Sequence, residues 1–297
     1  MTNILLGYQP LFDLFLLHLG MAYSQWLVLR AGVFSLATAG LAAVGAYTGG
    51  ILVVSLGFPA PVALLLAGLA GGIVALGLSI PLARLRGVYQ AIATVAFIQI
   101  VLSLNIYASG LTGGPQGLNG IPKTVGTVTL LIAGILTVYL MYTITNSRLG
   151  RAFDAIRQNE AVAASLGVSI VRHQTLAFII SGALAGVYGA LEAFHSYALA
   201  PSQFGFTFLI SILAYVVLGG RNTIIGPIVG TAILLLLPEI ARPLAEARML
   251  VYGLLLILVI NYLPHGIADT LIERARARRL SARLAKSDSV ATTATRN

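Results

Sequence analysis

Catalysis needs nucleophiles, metal ligands or paired carboxylates, and this sequence is poor in all three. Its 297 residues include no cysteine and only four scattered histidines, so we expect neither thiol chemistry nor a metal cluster. The acidic residues beside apolar segments, Asp13, Glu192 and Glu239, fall near the segment ends, where we expect water to reach them. A carrier driven by an ion gradient usually has such groups in mid-membrane. We therefore predict no catalytic residue, no metal site and only weak support for ion coupling.

The segment 146–173 has the most informative pattern in the chain. Apolar residues recur there at helical spacing, with charged residues on the other faces. These apolar residues are Phe153, Ile156, Ala163 and Leu166. The pattern predicts a short amphipathic helix over Ala152–Leu166 that ends at Gly167 and suits docking to another protein. A solvated basic loop explains the periodicity equally well.

A glycine-rich loop follows the fourth apolar segment. It contains Gly113, Gly114, Gly117, Gly120 and Pro122. Glycine-rich loops can bind phosphate, but a nucleotide-binding loop follows a strand and ends in Gly-Lys-Ser or Gly-Lys-Thr. This loop has neither feature, so we predict a rigid turn on the outer side of a membrane, where it could touch a partner.

A second glycine-rich stretch interrupts an apolar segment near residue 220. The interrupting residues are Gly219, Gly220, Gly226 and Pro227. Membranes tolerate the freed backbone groups only inside protein or beside water, and interrupted segments often mark transport pathways. A packing kink is the alternative. The neutral polar residues Thr94 and Gln99 are further candidates for a translocation path, unless they serve helix–helix hydrogen bonding.

Long apolar segments must position these residues, because the composition cannot cover a water-facing surface. Hydrophobic residues make up 58% of the chain and charged residues 9%, whereas soluble proteins carry about 25% charged residues. Soluble enzymes, DNA-binding domains and disordered tails are therefore excluded. The stretches without charge predict nine spans: 11–29, 33–54, 62–81, 88–106, 128–144, 174–194, 206–219, 224–238 and 250–263. The segment 206–238 crosses either as two passes or as a re-entrant hairpin.

These continuous apolar runs favour helices over alternating membrane strands. We predict an all-α integral membrane protein, a polytopic helical bundle of about 8–10 transmembrane segments, some broken by glycine or proline. The transmembrane domain covers residues 1–273, and a basic tail covers 274–297. Small residues recur four apart, as at Gly45/Gly49 and Gly182/Gly186, and predict close packing of helices within the chain.

Basic residues predict the orientation. With 148–172 and the tail in the cytoplasm, 15 Lys and Arg lie inside and three, Lys123, Arg242 and Arg248, lie outside. This asymmetry places the N-terminus outside and the C-terminus in the cytoplasm. The tail could bind anionic lipid, and since topology explains the charge, no nucleic acid is expected as a partner.

Four stretches carry motifs that become specific when they occur in this order. They are Leu-Arg-Gly-Val-Tyr with Ala-Thr-Val-Ala-Phe at 85–97, the glycine loop at 111–122, Arg-Leu-Gly-Arg with the following Glu-Ala and Gly at 147–167, and the Gly-Gly to Gly-Pro segment at 218–230. Together they resemble the LivM-type permease subunits of branched-chain amino acid ABC transporters, over about residues 30–266. Gln99 departs from the glutamate of many relatives. Arg221 and Asn222 replace an apolar residue and a glycine, which predicts a stiffer break.

The resemblance implies that the segment 146–173 holds a coupling helix that docks in a cleft of an ATPase subunit. The implied coupling residues are Arg148, Gly150, Arg151, Ala152, Arg157, Glu160, Ala161 and Gly167. It also implies a homologous, LivH-like second permease, two cytosolic ABC ATPase subunits and a periplasmic substrate-binding protein. The chain has no Walker motif, so no cofactor is expected here, and ATP would bind to the ATPase subunits.

The implied location is the bacterial inner membrane, and the implied substrates are leucine, isoleucine and valine. Urea, short amides and other amino acids remain alternatives. An ion-coupled secondary carrier and a structural membrane scaffold are the competing classes, which the docking-like segment and the broken helix make less attractive.

Overall fold

The computed structural model describes the backbone of residues 2–240, 253 and 266–271, and within these ranges the side chains of 8–237, 253 and 266–271. The helices are α1 (Thr2–Arg30), α2 (Thr38–Val54), α3 (Ala60–Leu82), α4 (Val88–Tyr107), α5 (Ser109–Thr112), α6 (Thr127–Asn146), α7 (Arg148–Gln158), α8 (Glu160–Ser165), α9 (Ile170–Ser196), α10 (Phe206–Gly219) and α11 (Ile225–Ile240). Single 3-10 turns cover Gly114–Gln116 and Pro201–Phe204. Two short strands, β1 (Leu118–Asn119) and β2 (Ala198–Leu199), pair in antiparallel fashion.

The helical membrane fold is confirmed. In the described part of the chain, six helical segments are long and apolar enough to cross a membrane, and α2 and α11 are shorter apolar helices. The predicted spans agree closely with these helices, except that α1 begins at Thr2 rather than Leu11. The predicted span 250–263 lies outside the described residues apart from Gly253.

Helix α9 lies at the centre of the bundle and packs against α1, α2 and α3. Its contacts are close because glycines face backbone. A Cβ atom on Gly71 would lie 2.3 Å from the carbonyl oxygen of Gly182, and one on Gly189 would lie 2.0 Å from that of Ala42. In lipid, helices associate through such close van der Waals approach. The predicted small-residue faces therefore do act in packing within the chain.

The bundle has two distinct ends. At one, which we call the α7 end, Arg30, Arg86 and Asn222 contact α7 or α8. At the other, the β1 end, β1 pairs with β2 and the amide of Gln9 donates to the Thr127 hydroxyl at the start of α6. The two ends lie at opposite termini of α1, so the short polar elements sit outside the apolar part of the bundle.

Helices α10 and α11 form a hairpin whose turn lies at the α7 end. The Tyr23 hydroxyl donates to the carbonyl oxygen of Ile224 at 2.8 Å, near the start of α11. Farther along α11, Leu236 shares a cavity with Tyr8 and Phe12, near the other end of α1. Helix α11 therefore runs antiparallel to α1 between both ends of the bundle. Of the two predicted topologies for 206–238, the structure contains the two passes.

Candidate functional site

The segment 146–173 folds into two helices joined by an elbow. The Ser147 hydroxyl caps the start of α7 by accepting from the amides of Leu149 and Gly150 at 3.2 and 3.4 Å. Asn159 ends α7 with an extended backbone and caps α8, since its side-chain oxygen accepts from the amides of Ala161 and Val162 at 3.0 and 3.1 Å. The prediction of one helix over 152–166 was therefore wrong, because asparagine caps a new helix more readily than it continues one.

One face of the elbow is buried against the bundle. Phe153, Ile156 and Ala163 are buried, as their helical spacing predicts. Leu166, which shares that spacing, is 76% exposed. Gly167 ends α8 with a φ of +82°, a conformation that favours glycine. The segment is thus an ordered amphipathic elbow attached to the membrane helices, and not a solvated loop.

An ion pair fixes the start of the elbow to α1. The Arg30 guanidinium donates to both carboxylate oxygens of Asp154, at 2.9 and 2.7 Å, and to the Thr145 hydroxyl at 2.8 Å. It also lies 5.0 Å from the ring centre of Trp26. Because the Arg30 side chain is only 6% exposed, every part of its charge is matched by a neighbour. Bidentate pairs of this kind define both distance and orientation.

Two further contacts attach the elbow to other helices. Arg157 donates to the side-chain oxygen of Asn222 in the α10–α11 turn, and Glu160 pairs with Arg86 just before α4. Burial lowers the pKa of the Arg157 guanidinium, while Asp154 acts in the opposite direction. Arginine starts so far above neutrality that Arg157 stays charged. Glu160, which the family resemblance gives to ATPase docking, is held by an internal partner.

The other face of the elbow is open. Among the eight coupling residues inferred from the sequence, Arg148, Arg151, Ala161 and Gly167 are exposed; Ala152, Arg157 and Glu160 are half-buried; and Gly150 is buried. The sequence did not single out Val162, which is 54% exposed, and it placed Leu166 on the apolar stripe. Both project from α8 beside a cavity of about 380 Å³ between α7 and α8. Apolar exposure outside the lipid is the signal that these two residues carry.

The glycine loop at the β1 end is compact. Gly113, Gly114, Gly117 and Gly120 all have φ between 62° and 79°. At Gly117 a Cβ atom would lie 1.8 Å from the carbonyl oxygen of Leu199, so only glycine permits β1 to pair with β2 here. Pro122 is exposed at the end of the loop. The structure therefore contains the compact outer turn that the sequence predicts, at the opposite end from the elbow.

Most of the predicted path residues are packed inside the protein. The Thr94 hydroxyl is fully buried and accepts from the amide of Leu36 at 3.0 Å. Gly219, Gly220, Gly226 and Pro227 are also buried. A Cβ atom on Gly219 would lie 1.9 Å from the Gly226 carbonyl oxygen, which means that the glycines bring α10 and α11 together. In the described residues, these five serve packing.

Gln99 differs from the other candidates because it is exposed near the middle of α4. It belongs to a stripe along one face of that helix. The stripe consists of Tyr89, Ile92, Ala96, Gln99, Ser103 and Tyr107, all exposed. The exposed residues of α3, by contrast, are all apolar, among them Leu65 and Leu69. Polar side chains are costly against hydrocarbon, so the α4 stripe favours contact with protein or water, and the α3 face favours lipid.

The expectation that water reaches the acidic groups was wrong for two of them. Asp13 is only 4% exposed, with its carboxylate 3.9 Å from the His195 ring. One carboxylate oxygen of Glu192 is buried without a hydrogen-bond partner among the described residues. The side chain of Glu239 lies outside the described residues. The choice between transporter classes therefore depends on the family.

The helices and the elbow define a multi-pass helical membrane protein with an anchored amphipathic segment at one end. Residues 14–260 match the family described as "Branched-chain amino acid transport system / permease component", and the chain belongs to that family.

Individual relatives agree. The chain is 31% identical over 272 residues, 80% of its length, to the high-affinity branched-chain amino acid transport system permease protein LivM of Salmonella typhimurium. It is 34% identical over 146 residues, 47% of its length, to LivH of Escherichia coli, and that match covers 44% of LivH. It is 29% identical over 190 residues, 59% of its length, to the autoinducer 2 import system permease protein LsrC of an Enterobacter species, covering 54% of LsrC. The matched region spans 64% of LivM. No solved structure matches the chain.

Proposed function

We propose that the chain is the permease subunit of an ABC importer in the bacterial inner membrane and that the α7–α8 elbow docks the ATPase subunits. The observation that carries this proposal is the two-sided elbow. One side is fastened to the bundle by the Arg30–Asp154 pair, and the other presents Val162 and Leu166. A partner that moves the elbow would therefore also move the helices.

The exposed residues of α8 suit a protein partner. Leu166 lies at the α7 end among charged residues, where lipid tails do not cover it. Burial of a leucine side chain in an interface contributes about 1.5–3 kcal/mol, and the cavity between α7 and α8 could receive a side chain from the partner. Arg148 and Arg151 at the rim would favour an acidic docking cleft.

The charge distribution supports an orientation with the α7 end in the cytoplasm. Arg30, Arg86, Arg148 and Arg157 all lie at that end, while Lys123 follows the glycine loop at the β1 end. Positive residues remain inside. The N-terminus then lies outside, the ATPase subunits bind ATP on the cytoplasmic side, and a periplasmic substrate-binding protein meets the glycine loop.

A second permease would complete the pathway. The chain is similar to both LivM and LivH, which supports a pair of homologous subunits. The α4 stripe with Gln99 and Ser103 is the described surface best suited to face that partner or the water between the two. Leucine, isoleucine and valine are the proposed substrates. The likeness to LsrC keeps other small polar solutes, including urea and short amides, as alternatives.

The test is co-purification and transport with the ATPase pair and the permease encoded beside this gene. We expect Leu166→Asp to lower ATPase retention about tenfold, the equivalent of ~1.4 kcal/mol. Leu111→Asp, at a residue that is 60% exposed at the opposite end, is the matched control and should retain the ATPase. Equal retention by the two variants would contradict docking through α8.

The competing class makes the opposite prediction for the chain alone. A secondary carrier would accumulate radiolabelled leucine in liposomes along an ion gradient, without ATPase subunits or ATP. The proposal requires that this preparation shows no uptake and that uptake begins when the whole complex and ATP are present.

A further inference from the structure

The turn between α10 and α11 is held from both sides through one residue. Asn222 accepts from Arg157 of α7 through its side-chain oxygen. Its backbone amide donates to the Asp269 carboxylate at 2.9 Å, and Asp269 is only 1% exposed. Asn222 therefore joins the elbow, the hairpin turn and the segment 266–271.

The turn has no room for adjustment around this contact. Gly220 has a φ of +116°, and a Cβ atom there would lie 2.7 Å from the Asp269 carboxylate carbon. A Cβ atom on Gly266 would lie 2.5 Å from the Gly220 amide nitrogen. Backbone conformation and close packing thus both restrain the turn, so a displacement of Asn222 must displace the whole turn.

The hairpin behind the turn is built as one body. A Cβ atom on Gly226 would lie 1.9 Å from the Gly220 carbonyl oxygen, and one on Gly230 would lie 1.8 Å from that of Tyr215. The two helices are therefore in backbone contact over two turns of α11. Closely packed elements of this kind move as rigid units and do not deform continuously.

The near side of the contact is equally well fixed. Arg157 lies in α7, one helical turn beyond Asp154, and its second guanidinium nitrogen is 3.8 Å from the Asp154 carboxylate. Asp154 is already bound to Arg30. The Arg157 side chain is consequently directed towards the turn by its own helix, and rotation of α7 would carry it.

We propose that the Arg157–Asn222 hydrogen bond transmits movement of the elbow to the α10–α11 hairpin, with Asp269 holding the turn so that the hairpin follows. This rests on the proposed function, in which the elbow receives movement from an ATPase. Arg157 and Asn222 are positioning residues in this scheme. They need not touch substrate, and a charge-assisted hydrogen bond is strong enough to bias the position of a rigid element.

The first test measures coupling in the complete complex in proteoliposomes, with radiolabelled leucine as the probe. We expect Asn222→Ala to retain ATPase binding and ATP hydrolysis within about twofold, and to lower leucine uptake per ATP hydrolysed at least fivefold. Asn222→Asp keeps the acceptor and should restore coupling. Arg157→Met combined with Asn222→Ala should reduce uptake no further than the worse single variant, because both remove one contact. Normal coupling in Asn222→Ala, or multiplied losses in the double variant, would overturn the proposal.

The second test needs no knowledge of the substrate. The chain lacks cysteine, so Ala164→Cys in α8 and Arg221→Cys in the turn can carry one spin label each. In the complex, we expect a narrow distance distribution that nucleotide leaves unchanged, since both sites move together. With Asn222→Ala added, it should broaden or shift on nucleotide addition. The same distribution in both backgrounds would refute the linkage.

The failures of the two proposals are distinguishable. If the ATPase subunits never bind the chain, the proposed function fails. If they bind and hydrolyse ATP while the labelled sites move independently without Asn222→Ala, only the linkage fails.

Discussion

Gly71 provides a sharp test of how this bundle is held together. A Cβ atom at Gly71 would lie 2.3 Å from the Gly182 carbonyl oxygen and 3.1 Å from the Gly186 Cα. Ordinary contact begins at about 3.4 Å, so Gly71→Ala must separate α3 from α9 by about 1 Å. Gly77 lies on the same helix but is exposed, and a Cβ atom there would meet nothing within 4 Å.

The two alanine variants isolate the packing energy. Both gain about 1 kcal/mol from the higher helix propensity of alanine, whereas only Gly71→Ala incurs the overpacking cost of about 1–3 kcal/mol. We therefore expect Gly71→Ala to be less stable than Gly77→Ala by about 1–3 kcal/mol, which lowers its Tm by roughly 2–4 °C per kcal/mol.

The assay is thermal unfolding in detergent micelles, followed by the fluorescence of Trp26, the sole tryptophan in the sequence. Trp26 is fully buried, so its emission reports loss of the bundle. Equal Tm values for the two variants would refute the close α3–α9 contact, as would a higher Tm for Gly71→Ala.

Two further predictions concern the elbow and the path. Arg30→Met removes the bidentate partner of Asp154 and should free α7 by about 2 kcal/mol, so hydrogen exchange of α7 amides should be about 30-fold faster. Arg86→Met, at an exposed ion pair worth less than ~1 kcal/mol, is the control, and equal exchange in both would argue against the anchor. Gln99→Trp should block leucine uptake by the complex, whereas Leu69→Trp on the apolar face of α3 should not; normal uptake in Gln99→Trp would remove α4 from the pathway.

Sequence by itself determined where the membrane helices lie. Charge is excluded from hydrocarbon at a cost of several kcal/mol, so gaps between charged residues mark spans wherever they occur, and α4 begins and ends within one residue of the predicted span. The amphipathic elbow was equally readable, because α7 lies outside lipid and its buried and exposed faces differ in polarity. Asn159 was also a local signal for a helix start, and it was overlooked.

Only the tertiary structure decided which face of each membrane helix is buried. In lipid, both faces are apolar, so periodicity does not distinguish the packed side from the lipid side. Thr94 and Gln99 lie five positions apart and looked equivalent, yet α2 buries the first and the second is exposed. Likewise, the partners of Glu160 and Arg157 are Arg86 and Asn222. These pairs are far apart in the chain, and only the packing of several helices brings them together.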